Sequence, residues 1–526
     1  MLKADEMVPL DEVERELYLE LVPEDHFLRR LASVIDFERF RQQLASCYSS
    51  DQGRPALDPV AMLKFEILSR HYRLSDREVV AQTQVNIAYR LFVGLSRRGA
   101  LPHHTSLTYF RQRVGADRLQ KIFHLLLGQA RELGLVRDRL RLKDATHIIA
   151  NIAIPSTIGL VSQTREQLLD ALECFAAERV VEERQRAEAI RQASEDLKDE
   201  ERLVRRVTHL RAVLAWADAV PVQPAFAQGP AAAQERLQQA LAVAHKVLAD
   251  REPKTKDKIV SVHDPDARRG FHGDYYEGYL LDVAMDADSE LITGVNVLPA
   301  NGNEGADAVH LIEQEEAAHG NDVQALSMDG AGYRGELLRE LQSAEGMKVD
   351  VFVPPTERPP AKVFGPEQFT LSEDGTTLTC PGGQSTTWHD DRDNGTRFFF
   401  SAPTQCADCP LRSQCLPNPT ARRRAVLKNA YEDEYRAAQA KAQTPEYAKV
   451  RQEHPRIERK LAELVRRHEL RRSRYRGIAR VLREGILTAF VVNLKRIMRL
   501  LRAGISHAAD PPTSTAIVRA ELVGMG

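Results

Sequence analysis

Apolar and polar residues alternate with a helical period through the first quarter of the chain. This period predicts four helical ranges: 27–45, 59–71, 75–80 and 107–133. Two starts carry helix-capping signals, because Asp58 precedes Pro59 and Ser75 stands three residues before Glu78. We expect residues 20–132 to form a helical N-terminal domain. Such a domain suits either a DNA-binding module or a plain helical bundle.

A period of two replaces the helical period between residues 137 and 159. Leu140, Leu142 and Asp144 fall on one face of the predicted strand, and the residues between them are charged. A carboxylate on an apolar strand face is costly unless it is paired, hydrogen-bonded or bound to a metal. Asp144 is therefore the first candidate functional residue.

Strand patterns return at residue 256, after a charged, helix-rich stretch with a proline-rich joint. We predict a helical insertion over residues 160–250. Beyond it the patterns indicate a hairpin around 286–290, a helix over 306–319, and strands over 323–328 and 349–354. Hairpin strands followed by alternating helices and strands are the order of a ribonuclease-H-like core. We assign that α/β core, with a mixed sheet, to residues 137–159 and 256–358.

Two further acids are candidates to act with Asp144. Asp329 directly follows a predicted strand and precedes two glycines, at the sheet end where open α/β folds place their chemistry. The alternative is a plain helix N-cap. Glu458 lies in the first turn of a helix that starts at Pro455, where an acid can also serve only the helix dipole. Glu484 is the alternative third acid, and we prefer Glu458 because its helix has an apolar stripe that can pack on the sheet.

Three carboxylates at one sheet edge repel one another unless cations bind between them. Asp144, Asp329 and Glu458 therefore predict a site for two Mg²⁺ or Mn²⁺ ions, the arrangement used for in-line phosphoryl transfer. The same three residues are the predicted catalytic groups.

Four of the six cysteines cluster within residues 360–430, which we predict to be a cysteine-rich insertion. The cluster consists of Cys380, Cys406, Cys409 and Cys415. Its Cys-x-x-Cys pair and surrounding turn residues indicate a structural Zn²⁺ site, and reduced free thiols are the alternative. Hydrophobic residues make up 43% of the chain and no apolar run is long enough for a membrane span. With a polar N-terminus, this balance predicts a cytoplasmic protein and no membrane partner.

The net charge of −2 excludes a uniformly basic nucleic-acid binder, but the charge is unevenly placed. Residues 451–502 contain sixteen Lys and Arg against five Glu, as expected for phosphate contacts. A solvated helix surface is the alternative. We expect the C-terminal helices, residues 445–502, to complete the catalytic core and residues 503–526 to be a disordered tail. The predicted DNA contacts are Arg111, Arg113, Arg451, Arg466, Arg467, Arg471, Arg472, Arg474, Tyr475 and Arg476, those from 466 to 476 crowding two to three helical turns.

Several strings in residues 20–130 resemble the N-terminal domain of bacterial insertion-sequence transposases of the InsH type. They are Gly53-Arg-Pro-Ala56, Asp58-Pro59, Leu74-Ser-Asp-Arg77, His104-Thr-Ser106 and Phe110-Arg111. Further strings extend the resemblance to DDE transposases over residues 20–500. They are Asp144-Ala-Thr-His147, Tyr279, Asp329-Gly-Ala-Gly-Tyr333, the cysteine cluster, Arg451-Gln-Glu-His-Pro-Arg-Ile-Glu458, Gly477 and Asn493-Leu-Lys-Arg496. One departure is Val465, which stands about where the family has a lysine.

The resemblance implies Mg²⁺-dependent cleavage and strand transfer at terminal inverted repeats, by a homodimer on paired ends and with target DNA. It also implies that the protein acts at the bacterial nucleoid. The alternative function is a transposase-derived DNA-binding protein that no longer transposes. A structural zinc protein with a fortuitous acidic triad is a third class, and it predicts no salt-dependent DNA binding.

Overall fold

The computed structural model describes residues 10–49, 57–252, 255–356, 363–416, 418 and 420–504. Residues 53–56, which contribute to the resemblance, and residues 505–526 of the predicted tail lie outside this part. None of the helices in these ranges combines the length and apolar character that a membrane crossing requires.

The N-terminal region is helical, as predicted. Its helices are α1 (Glu12–Leu21), α2 (Phe27–Val34), α3 (Arg41–Ala45), α4 (Pro59–Tyr72), α5 (Asp76–Val85), α6 (Ile87–Val93) and α7 (His104–Glu132). Asp58 caps α4, and Ser75 and Glu78 form the predicted capping box of α5. The single helix predicted over 27–45 is wrong, because extended backbone at Ile35 ends α2 and a 3₁₀ turn precedes α3.

One mixed sheet forms the centre of the molecule. Its strands are β1 (Arg141–Ile149), β2 (Arg268–His272), β3 (Asp274–Asp286), β4 (Ile292–Pro299), β5 (Ala325–Ser327) and β6 (Asp350–Phe352). The order is β2-β3-β1-β5-β6, and β4 also pairs with β3. β3 runs antiparallel to β1, β2 and β4, whereas β5 is parallel to β1 and β6 is parallel to β5. The sheet resumes at Arg268 rather than at residue 256.

A long C-terminal helix joins the sheet to the N-terminal helices. The later helices of the core are α12 (Asp307–His319), α13 (Gly335–Gln342), α15 (Glu432–Lys441), α16 (Pro445–Glu453), α17 (Pro455–Arg467) and α18 (Ile478–Arg502). α18 is buried along most of its length, and its Asn493 side chain bonds both the amide and the carbonyl of Ile292 at 2.8 Å. Phe490 meets Phe40 of the N-terminal region with ring centroids 5.7 Å apart. The N-terminal helices and the sheet therefore share one hydrophobic core.

Residues 157–249 form a helical bundle with an apolar core cluster of its own. Its helices are α8 (Thr157–Gln192), α9 (Asp199–Ala217), α10 (Pro224–Gln228) and α11 (Ala231–Ala249). α8 is interrupted at Ala176, whose backbone is not helical.

The segment between β6 and α15 forms a small β-rich unit, which we call the cysteine lobe (described residues of 363–430). It contains β7 (Thr370–Leu371), β8 (Leu378–Thr379), β9 (Ser385–Thr386), β10 (His389–Arg392), β11 (Gly395–Ser401), α14 (Arg412–Cys415) and β12 (Arg423–Asn429). β7, β8 and β9 make one three-stranded sheet, and β10, β11 and β12 make another.

Candidate active site

Asp144 lies on β1, and Asp329 follows the neighbouring parallel strand β5. β1 pairs with β5 so that Leu142 is opposite Ser327. Two residues further along, the same register brings Asp144 beside Asp329, on one face of the sheet because side chains alternate. β5 ends at Ser327. Both carboxylates therefore lie just past the end of the pairing between β1 and β5, and we call this place the acid edge.

The N-cap interpretation of Asp329 is also correct. Its Oδ1 accepts a hydrogen bond from the Ala331 amide at 3.1 Å, which caps the turn Gly330–Gly332. This bond uses one of the two carboxylate oxygens and holds the side chain at the end of β5.

Asp144 lies in an environment with a deficit of positive charge. Within the described residues it forms no ion pair, and it accepts a hydrogen bond from the Ala145 amide at 2.8 Å. Burial raises the pKa of Asp144 to about 7, and the negative charges of Asp329 and Glu304 add to the rise. The ionised form is costly in this position unless a cation compensates it.

Glu304 is a third acid near this edge, and the sequence interpretation missed it. Burial raises the pKa of Glu304, and the charge of Asp329 adds to the rise. Lys143 Nζ donates to the Glu304 carbonyl at 2.5 Å and holds the loop against β1. The sequence alone does not show this position. β4 runs in the same direction as β1, so the Asn- and Gly-rich loop 301–304 returns to the same end of the sheet.

Glu458 lies on α17, and the start of that helix is fixed beside β5. His454 Nδ1 is 3.1 Å from Ser327 Oγ, and Arg451 donates to the Met328 carbonyl at 2.6 Å. Glu458 follows His454 by four residues, which is one helical turn on the same helix face. Its side chain is exposed.

The acid edge has the oxygen donors that Mg²⁺ and Mn²⁺ prefer. However, nowhere in the described ranges do three His, Cys, Asp or Glu side chains come close enough together to hold a metal ion. The structure brings Asp144 and Asp329 together, with Glu304 near them. It leaves Glu458 on the adjacent helix.

The opposite face of β1 carries carboxylates that the protein neutralises itself. Arg141 is fully buried and pairs with Asp286 at 2.9 Å and with Glu315 at 2.6 Å. Lys143 pairs with Asp282 at 2.8 Å. Burial opposes ionisation of Glu315, but the charge and hydrogen bonds of Arg141 outweigh it and hold the pKa at about 2. At Asp282 and Asp286 burial still raises the pKa despite these partners.

Glu484, the alternative third acid, is occupied inside the protein. It is 3% exposed and pairs with Arg70 of α4 at 2.9 Å. It also accepts hydrogen bonds from the Ser473 hydroxyl at 3.0 Å and the Arg474 amide at 3.2 Å. These contacts tie α18 to α4 and to the segment before α18, which is a structural role.

The basic residues before α18 do not lie on helical turns. Residues 471–476, which we call the basic segment, form a non-helical connection between α17 and α18. Ile149 donates to the Arg471 carbonyl at 2.9 Å, and Ser473 donates to the Ile149 carbonyl at 3.0 Å. The prediction of two to three crowded helical turns is wrong, because this backbone pairs with the end of β1 instead.

Six of the ten predicted DNA contacts have exposed side chains. They are Arg113, Arg466, Arg467, Arg472, Arg474 and Arg476. Arg474 pairs with Glu469 at 2.8 Å, and Arg476 donates to the Asn151 carbonyl at 2.8 Å. These contacts are at the surface, where an ion pair contributes little and is easily exchanged.

Arg111 is used inside the N-terminal region. Its side chain is 11% exposed, pairs with Glu66 at 2.8 Å and also pairs with Asp76. This placement argues against a direct DNA contact by Arg111. Sequence could not show it, because Glu66 and Asp76 lie on other helices.

Three further predicted contacts also have partners in the protein. Arg451 bonds the Met328 carbonyl, as described above. Arg471 donates to the His147 carbonyl at 2.5 Å. The ring of Tyr475 is covered by the Arg483 guanidinium, 5.2 Å from its centroid, so that this face does not offer a stacking surface.

The four clustered cysteines line one small cavity of the cysteine lobe, and all four are free thiols. A Cβ at Gly382 would lie 3.1 Å from the sulfur of Cys409 and 3.7 Å from that of Cys380, so both sulfurs approach the same stretch of backbone. Burial raises the pKa of Cys406 and Cys415, with a contribution from the neighbouring thiols. The Zn²⁺ site stays a prediction, because no three of these cysteines lie close enough together in the described structure to hold a metal ion.

Two family models match the chain. A model described as Transposase domain (DUF772) matches residues 16–113, and one described as Transposase DDE domain matches residues 379–498. Neither the curated proteins nor the solved structures gave a match. The second model begins beside Cys380 and includes Glu458, so the clustered cysteines fall within the matched domain. Both models describe the same kind of protein and occur in the order that the motifs predicted. The chain therefore carries two transposase domains, and these matches support its resemblance to the DDE transposases of insertion sequences.

Proposed function

We propose that this transposase cleaves DNA strands at the terminal inverted repeats of its element and joins them to target DNA. Its family implies DNA binding, and the DDE domain is that of a DNA-cutting enzyme. The observation that carries the proposal is the pairing of Asp144 with Asp329. Asp144 on β1 lies near Asp329, which follows the parallel strand β5, and near a third acid, Glu304; within the described residues no ion pair neutralises Asp144.

We infer that the mixed sheet is a ribonuclease-H-like core. The path β4-β3-β1-β5-β6 supports this, with three antiparallel strands followed by two strands parallel to β1. In this arrangement Asp144 lies on the central strand and Asp329 follows the adjacent strand.

Asp144, Asp329 and Glu458 are the residues that would hold two Mg²⁺ or Mn²⁺ ions. When bound, such ions activate a water or a 3′-hydroxyl and stabilise the leaving oxygen in phosphoryl transfer. The chain's own contribution is to orient the ligands. The amides of Ala145 and Ala331 fix one oxygen of each Asp.

The third ligand is oriented through its helix. Arg451 and His454 hold the start of α17 against the end of β5, and Glu458 follows on the next turn. In the described arrangement Glu458 is exposed and does not join the two Asp residues in a group of three ligands. We propose Glu458, rather than the internally paired Glu484, as the third ligand.

The exposed arginines are proposed to contact phosphates. Arg466 and Arg467 end α17, and Arg472, Arg474 and Arg476 continue along the basic segment beside β1. Phosphate contacts of this kind position DNA without reading its sequence. We propose that two chains hold a pair of element ends at the bacterial nucleoid, in the cytoplasm.

The test is strand cleavage of DNA that carries the ends of the element. Wild-type protein should cleave it with Mg²⁺ and not with EDTA, whereas Glu458→Gln should bind the DNA and fail to cleave. Glu463→Gln is the matched control on the same helix, because its carboxylate pairs with Lys460 at 3.1 Å. Binding without Mg²⁺-dependent cleavage by wild-type protein would favour the alternative, a DNA-binding protein that does not transpose.

We also propose that the cysteine cavity takes one Zn²⁺, as the Cys-x-x-Cys pair predicts. The support is that four reduced thiols line one cavity. Metal analysis of protein purified under reducing conditions should find close to one zinc per chain, and the Cys406→Ser variant should lose it. A folded lobe without zinc refutes this part of the proposal and leaves strand cleavage untouched.

A further inference from the structure

The second sheet of the cysteine lobe has one buried face and one open face. Phe398, Phe400 and Val426 point into the lobe core, where all three are at most 2% exposed. Since side chains alternate along a strand, the neighbouring residues of β10, β11 and β12 point the other way. We call this second side the Trp388 face. Its strand members include Asp390, Arg392, Arg397, Phe399 and Arg423.

An aromatic and cationic stack lies on the Trp388 face. Phe399 donates its amide to the Trp388 carbonyl at 2.8 Å, and the two rings are 5.0 Å apart. The guanidinium groups of Arg397 and Arg423 lie 5.1 Å and 4.8 Å from the Phe399 centroid. Phe399 is therefore 4% exposed although it is on the open face, whereas Trp388 remains 51% exposed.

The charge of this face is positive. Arg392 and Arg397 share one carboxylate, Asp390, at 2.5 Å and 2.7 Å. Arg423 is exposed and forms no ion pair within the described residues. An exposed tryptophan beside an arginine without an anion is suited to a partner with both a flat ring and a negative charge.

The lobe is attached close to the acid edge. β12 leads into Tyr431, whose ring lies under Arg339 at 4.6 Å and whose Cβ packs directly on Gly335. Gly335 and Arg339 belong to α13, the helix that follows the Asp329 turn. The lobe is therefore joined to the core through the helix that follows Asp329.

We propose that the Trp388 face binds unpaired nucleotides of DNA, with a base stacked on Trp388 and a phosphate on Arg423. Stacking requires a base outside the duplex, and aromatic side chains with arginines are the usual platform for single strands. The inference rests on the proposed function, because strand cleavage at element ends is what produces unpaired nucleotides beside the site.

The chain has two tryptophans, so fluorescence can isolate this face. In Trp216→Phe protein the emission comes from Trp388 alone. The probe is a mixed-sequence single-stranded oligonucleotide, compared with its annealed duplex. The single strand should quench Trp388 at saturation, and the duplex should quench it less.

Affinity measurements on the full chain complete the test. Trp388→Ala should weaken single-strand binding about 5- to 100-fold, and Trp388→Phe should restore most of it. Arg423→Ala should weaken binding and reduce the salt slope by about one. Trp216→Phe is the matched control, because Trp216 also stacks on an arginine, Arg179 at 4.4 Å, but in the helical bundle. Its binding should equal that of wild-type protein.

Three results would overturn the inference. The first is unchanged Trp388 emission when the oligonucleotide is bound, and the second is equal affinity for Trp388→Ala and wild-type protein. The third is emission that follows protein concentration and not DNA, which would make this face a contact between copies. If any of these occurs while wild-type protein still cleaves end DNA, the inference fails alone. If wild-type protein does not cleave end DNA, the proposed function fails as well.

Discussion

The carboxylates on one face of strand β1 have cationic partners, and Asp144 on the other face has none within the described residues. On one face, Asp286 and Glu315 pair with Arg141, and Asp282 pairs with Lys143. On the other face, Asp144 lies beside the acids Asp329 and Glu304 and forms no ion pair within the described residues.

The difference separates acids that stabilise the fold from acids that need an external partner. Glu315 is buried and its pKa is about 2, whereas the partly exposed Asp144 has a pKa of about 7. Burial also raises the pKa of Asp282 to about 8 although Lys143 pairs with it, so among these acids only the arginine contacts of Glu315 outweigh burial. Cations can bind to acids that have no cationic partner inside the protein, because no internal ion pair has to break first.

Arg141→Met would convert the compensated face into an uncompensated one. Breaking a buried pair by removing one partner costs about 3–5 kcal/mol, and here two carboxylates lose their cation. Urea denaturation should show this loss. Arg139→Met is the control, because Arg139 is more exposed and its pairs with Asp288 and Glu453 should contribute at most about 1 kcal/mol. Equal effects of the two substitutions would show that burial of the pair does not matter.

Glu484→Gln and Glu458→Gln place the same chemical change on an internally paired acid and on an exposed one. Glu484→Gln should lower stability by about 1–3 kcal/mol, because the buried charge of Arg70 loses its partner. It should keep Mg²⁺-dependent cleavage at temperatures where it is folded. Glu458→Gln should change stability by less than about 0.5 kcal/mol and lose cleavage. Thermal denaturation and a nicking assay on the same preparations decide, and the reverse pattern would exchange the roles of the two residues.

As the pH falls, protonation of buried histidines should destabilise the protein before the Glu315 carboxylate, which pairs with Arg141, is protonated. Burial lowers the pKa of His71, His124 and His468 to about 4, so they stay neutral in the folded state while the unfolded chain takes up protons below about 6.5. Their contribution is complete above pH 6.5 and is lost as the pH falls towards 4. The Glu315 contribution persists to lower pH, since its folded pKa is about 2.

The raised pKa values of Asp144 and Asp282 act in the opposite direction over this range, so the test compares variants and not the wild-type profile alone. Between pH 7 and 4, His124→Gln should lose less stability than wild-type protein, because it removes one of the groups that take up protons on unfolding. Equal losses in the two proteins would show that His124 is not protected from protonation.

The basic segment carries an excess of positive charge, whereas the acid edge carries an excess of negative charge. Neutralising Arg472 and Arg474 should reduce the salt dependence of DNA binding by about two in the slope of log K against log salt. Replacing Arg111 and Arg471, which bond inside the protein, should not change this slope in the folded variants. Equal slopes for wild-type protein and the Arg472 and Arg474 variant would show that the segment does not contact phosphate.

Sequence periodicity predicted which residues share a face but not what lies against that face. It correctly placed Leu142 and Asp144 together on β1, and the helix caps at Asp58 and Ser75 were also correct. It placed the arginines from 466 to 476 on two to three helical turns. Pairing with Ile149, a residue more than 300 positions away in the chain, decided otherwise.

The same limit applies to the candidate site. The carboxylate of Asp144 could be found from its position among leucines, whereas Glu304 required knowledge of the direction of β4. The motif residues could be recognised in the sequence, but their roles could not be deduced from it. Tyr279 donates its hydroxyl to Asp264 at 2.5 Å, and Gly477 donates its amide to the same side chain at 3.0 Å. Their place in the motif reflects how α18 is joined to the sheet.

Metal rescue of an Asp144→Cys variant tests most directly whether the uncompensated acids bind catalytic cations. A thiolate is a poor ligand for Mg²⁺ and a better one for the softer Mn²⁺. Asp144→Cys should bind end-containing DNA, fail to cleave it with Mg²⁺, and recover part of the cleavage with Mn²⁺. Wild-type protein should cleave with both ions. Cleavage by Asp144→Cys at the wild-type rate with Mg²⁺ would contradict a direct role of Asp144 as metal ligand.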